Sequence, residues 1–78
     1  MSDETEVARF RAELDPSRIC RHFCDEQGRV VSLAMEIAML FDDPKRSEIR
    51  KLGIQALDTF ENTKMIEIRH KLQAALTE

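Results

Sequence analysis

Val30-Val31-Ser32-Leu33-Ala34-Met35-Glu36-Ile37-Ala38-Met39-Leu40-Phe41 is the stretch on which the fold turns. Only Ser32 and Glu36 interrupt its apolar character. Four residues apart, they share one narrow strip of a helix, which reads as a solvated edge and not as a site for a buried carboxylate. A helix that is apolar around the rest of its circumference needs cover on several sides. Toward the N-terminus the pattern continues through Cys20, Phe23, Gln27, Val30, Ala34, Ile37 and Phe41, in alternating steps of three and four. That is the spacing of a coiled-coil seam, and it predicts one helix over 16–41. Such a helix runs through Gly28 at a cost of about 1 kcal/mol. The competing reading ends a shorter helix at Gly28.

Two Asp-Pro steps, Asp15-Pro16 and Asp43-Pro44, punctuate the chain. Aspartate accepts from orphan amides and proline suits the first helical position, so each step reads as a helix start. Before the first, residues 3–14 predict a short amphipathic helix with Val7, Phe10 and Leu14 on one face, opened by Asp3 and Glu6 in capping-box spacing. After the second, Ile49, Leu52, Gly53, Ala56, Leu57 and Phe60 form one stripe. Met65, Ile68, Leu72 and Leu76 form another, rotated by roughly 120° on a continuous helix. With no strong breaker after Gly53, one helix over 44–76 is the expectation, supported by the Glu67/Lys71 spacing; a break near 62–63 is its rival. Residues 1–78 thus read as one all-α domain. It is a long antiparallel helical hairpin turning at 42–44, with a short N-terminal helix folded against it.

A chain of 78 residues buries a modest share of its surface, and a second chain is an economical source of further cover. The reading is a homodimer in which two hairpins make a four-helix bundle. Its interface is expected at Phe23, Val30, Val31, Leu33, Ala34, Ile37 and Phe41, with Met35 and Met39 at the border. In the rival arrangement, a compact monomer, helix 3–14 folds over Met35 and Met39.

Catalytic chemistry finds little to build on. Cys20 and Cys24 share a helix face, but His22 points away from it, and two thiols do not close a tetrahedral metal site. They read as small hydrophobes at the seam, and no metal or other cofactor is expected. Glycine-rich phosphate loops and nucleophile motifs are absent, so the chain is not read as an enzyme.

The net charge is −3, divided as −3 over residues 1–15 (five acids, two bases), −2 over 16–43 (five and three) and +2 over 44–78 (five and seven). Lys45, Arg46, Arg50 and Lys51 are candidates for contact with an external protein or with nucleic acid, and Arg69, His70 and Lys71 form a smaller cluster. The acidic start lacks the layout of a secretory signal, and no apolar run is long enough to span a membrane, which reads as a cytoplasmic protein. The expected function is that of a small regulatory or adaptor protein that homodimerises and modulates an unidentified target protein, as an anti-activator, inhibitor or antitoxin does. The alternative is a helical dimer that binds structured RNA or DNA through the basic residues of the third segment.

Overall fold

The structure, a computed structural model, describes residues 2–15, 23–59 and 61–77, and their side chains over 4–15, 26–59 and 61–77. Four helices make up most of these residues: α1 (Ser2–Glu13), α2 (Phe23–Ala38), α3 (Lys45–Leu57) and α4 (Asn62–Thr77). The all-helical class therefore holds, with no strand among the described residues. No helix among them is long and apolar enough to cross a membrane.

The helix expected over 16–41 is described from Phe23 to Ala38; residues 16–22, on which its expected start falls, lie outside the described residues. Gly28 sits inside α2 without interrupting it. The C-terminal end tightens into i to i−3 bonds, with the amides of Met39, Leu40 and Phe41 donating to Glu36, Ile37 and Ala38. The guanidinium of Arg46 then donates through Nε to the carbonyls of Phe41 (2.9 Å) and Ala38 (3.2 Å). A cation at the negative end of a helix is favourable in its own right. Asp43 does not cap α3 as expected. Pro44 occupies the capping position, the Asp43-Pro44 bond is cis, and the Asp43 carboxylate accepts from the Ser47 hydroxyl at 3.1 Å.

In place of one helix over 44–76 the chain forms α3 and α4, separated at 58–61. The two apolar stripes explain the break. On one straight rod Ile49, Gly53 and Ala56 face about a third of a turn away from Met65, Ile68 and Leu72, so both sets cannot reach a common core. After the break, all six are buried. Asp58 and Thr59 donate backbone amides to Gln55 and Ala56, closing α3, and Glu61 accepts from Lys64 and Met65, opening α4. The i to i+4 pair foreseen between Glu67 and Lys71 is not formed.

α2 and α3 share the most extensive contact and run in opposite directions, Gln27 of α2 meeting the end of α3 and Arg46 of α3 the end of α2. They approach closely where Gly53 faces α2: a Cβ placed there would lie 3.0 Å from Ala34 Cβ and 3.2 Å from Met35 Cε. Any larger residue would hold the two backbones apart. The core then extends to one side of this pair, where Val30, Leu33 and Ile37 of α2 and Ile49 of α3 meet Met65, Ile68, Leu72 and Leu76 of α4. α1 completes it with Phe10 and, just past its end, Leu14, both fully buried, with Val7 partly so. The apolar face foreseen for the N-terminal helix is thus the one used. Each fully buried side chain of this size contributes roughly 1.5–3 kcal/mol.

Every helix has its C-terminal carbonyls met by a side chain from another helix. The two N–H bonds of the Gln27 side-chain amide are shared among the carbonyls of Ala56, Leu57 (2.8 Å) and Thr59 (2.7 Å) at the end of α3. Arg46 of α3 returns the contact to α2, Arg11 of α1 donates to Leu76 of α4 at 2.8 Å, and Gln73 of α4 donates weakly to Leu14 after α1 at 3.5 Å. Gln27, the polar member of the seam, thus satisfies carbonyls that a helix cannot bond within itself.

Candidate protein-binding surfaces

α1 and α4 cover one side of the α2–α3 pair and leave the other side open. On α2, Met35 is 37% exposed, and Met39, one turn further and just past the end of the helix, 64%. On α3, Ile54 is 52% exposed and Leu57 55%. Met35 reaches the Gly53 crossing with its Cε, while Ile54 follows Gly53 directly and Leu57 lies one turn beyond it. Helical geometry puts these α3 residues on the flank of Gly53 opposite Leu52, which lines the groove toward α4. The four large side chains therefore share one side of a two-helix layer. Glu36 borders this face from α2 and Arg50 from α3, both exposed and neither paired with a described residue.

This arrangement redistributes the residues foreseen as a dimer seam. Val30, Leu33, Ala34 and Ile37 are buried inside the single chain, because α4 and α1 supply the cover that a second chain was expected to bring. Val31 and Phe41 are half-buried against the same core. Met35 and Met39, foreseen at the border, are the exposed members, and α1 does not cover them. Phe23 begins α2, and its side chain lies outside the description. Sequence reasoning missed Ile54, whose signal was an isoleucine off the apolar stripe of its helix. It also placed Leu57 within that stripe, whereas Leu57 is open to solvent.

The four basic candidates do not form one patch. Arg46 is engaged in capping α2, and Lys45 lies 5.5 Å from the centre of the Phe41 ring, within cation–π range. Arg50 edges the open face, and Lys51 lines the groove on the far flank of α3. That groove lies between α3 and α4 and has a volume of about 510 Å³. Leu52 and Ala74 supply its accessible apolar lining over the buried Ile49 and Ala75, and Lys45, Lys51, Lys71 and Glu48 the charges. It continues past Gln55 and Lys71 into a second depression of about 420 Å³ containing Lys64, Glu67 and Asp58.

The cluster Arg69, His70 and Lys71 is also divided. His70 and Lys71 are exposed, but Arg69 is buried and pairs with Glu26 of α2 through Nη1. Its Nε has no hydrogen-bond partner. Removal of either member leaves a buried charge without its counter-ion, so the pair ties α4 to α2. The two stand 43 positions apart in the sequence with nothing distinctive around either, and no local signal announces the pair.

Among the described residues no group of three or more His, Cys, Asp or Glu side chains is placed to hold a metal ion. Cys20 and His22 lie outside the described residues, as does the side chain of Cys24. No family model, curated protein or solved structure matches the chain.

Proposed function

We propose that the protein is a non-catalytic regulatory or adaptor protein that homodimerises through the open side of α2 and α3 and acts by binding and modulating another protein. One observation carries this reading: Met35, Met39, Ile54 and Leu57 are all more than a third exposed on one side of a two-helix layer. Contiguous apolar surface of this kind marks an interaction site. Two copies meeting there bring four helices together as a bundle. A two-fold contact uses the same patch on both chains, and the edges suit it, since Glu36 on one edge and Arg50 on the other are exposed and of opposite charge. Adaptable methionines on one helix and branched side chains on the other support close packing. Modulation of a target by occupying its surface is the anti-activator, inhibitor or antitoxin mode. The nucleic-acid alternative gains no observation, because Arg46 is used internally and Arg50 and Lys51 lie on different flanks of α3.

Sedimentation equilibrium over a range of concentrations tests the dimer. The wild-type chain is expected at twice the single-chain mass, and Met39→Glu/Leu57→Glu at the single-chain mass with unchanged helical circular dichroism. A wild-type protein that stays at single-chain mass at the highest attainable concentration refutes the proposal.

A further inference from the structure

We infer that the groove between α3 and α4 is where the target protein is held, and that the target presents an acidic amphipathic helix. The inference rests on the reading of the chain as a protein-binding regulator and adds the site and the chemistry of the partner. Three lysines, Lys45, Lys51 and Lys71, stand against one acid, Glu48, in the first part of this groove, before it reaches Lys64, Glu67 and Asp58 in the adjoining depression, in a chain whose net charge is −3. Lys51 and Lys71 form no ion pair with any described residue; in particular, Glu67 does not engage Lys71. Two exposed cations beside the half-buried Leu52 and the exposed Ala74 form a site whose complement is an apolar stripe flanked by carboxylates.

A helix laid in a groove between two helices presents anchors at i, i+4 and i+7, and this surface offers no sheet edge for an extended strand. Nucleic acid is the poorer match. Its single-stranded forms are held by exposed aromatic rings and arginine planes, and this groove is lined by aliphatic side chains and lysines. Leu52 and Ile54 lie on opposite flanks of α3, so the groove remains open when the α2–α3 face is occupied.

Fluorescence anisotropy on the full chain tests this. The probe is a labelled synthetic helix with leucines at i, i+4 and i+7 flanked by glutamates. The controls are the same peptide with lysines for glutamates and a single-stranded DNA oligonucleotide. Saturable binding of the glutamate peptide is expected, weakening with salt and falling at least about tenfold in Lys51→Glu/Lys71→Glu. Both positions are exposed, so the variant should keep its helical circular dichroism, and Lys51→Gln/Lys71→Gln should give a smaller loss in the same direction. The inference is overturned by absent binding, by equal binding of the lysine peptide, or by indifference to the charge reversal. It is also overturned if the oligonucleotide is the ligand lost in the variant, or if the charge reversal alters the mass of the protein, which would make the groove a self-association surface. Failure of the dimer proposal is read separately, in the sedimentation of Met39→Glu/Leu57→Glu, whose groove is intact.

Discussion

Ile37 and Met39 stand two residues apart at the end of α2, one fully buried and the other, just past the last helical residue, 64% exposed, and they represent the two sides of the α2–α3 layer. The covered side carries Val30, Leu33 and Ile37, side chains of fixed shape that pack against α4 and α1. Met35 and Met39 dominate the α2 part of the open side, and their flexible thioether chains adapt to what they meet. Both sides carry large apolar side chains, but the open one is bordered by Glu36 and Arg50. What distinguishes them is supply: two further helices suffice to bury one side of a two-helix layer, and the apolar side chains of the other side stay exposed.

The sharpest way to break this comparison is to make the same change on both sides. Ile37→Asp places an unpaired charge in the core and should abolish cooperative folding, a loss of several kcal/mol, visible as the absence of a thermal transition in circular dichroism. Met39→Asp should leave that transition nearly in place. If both variants unfold alike, the open side is not open. A second measurement concerns how the covering helix is held. Arg69→Leu leaves the partly buried Glu26 unpaired and should cost about 3 kcal/mol in urea unfolding, whereas Glu26→Leu/Arg69→Leu should recover most of that loss. Failure of the double variant to recover would mean that Arg69 acts by packing and not through its charge. The smallest effects separate the two glycines. Gly28 has nothing within 4 Å of an added Cβ, so Gly28→Ala should raise stability by about 1 kcal/mol. Gly53→Ala gains the same propensity, but its Cβ would meet Ala34 Cβ at 3.0 Å. Ala34 can yield only by moving its helix, and overpacking of about 1–3 kcal/mol should make the net change destabilising. Opposite shifts of the urea midpoint are the expected result.

Much of this architecture is visible in spacing alone. Val7, Phe10 and Leu14 identify the face by which α1 docks, and the Val30–Phe41 run identifies the helix at the centre. The rotation between the Ile49 stripe and the Met65 stripe already contains the conflict that the break at 58–61 resolves. Propensity hid the break, because no glycine or proline lies there, and tertiary burial decided it. The candidate surfaces were less accessible. Arg46 reads as surface charge until the end of α2 is seen beside it, and Arg69 reads as one of a basic trio until Glu26 is found across the core. Such roles depend on residues far apart in the chain, which periodicity does not register.

The exchange of caps between helices has a consequence for motion. A helix that closes its own ends can fray a turn at a time, but here the last carbonyls of α3 are bonded by Gln27 and those of α2 by Arg46. Neither end can loosen without releasing its neighbour, so amide protons in the terminal turns of α2 and α3 should exchange with deuterium nearly as slowly as those at their centres, making the pair a single opening unit.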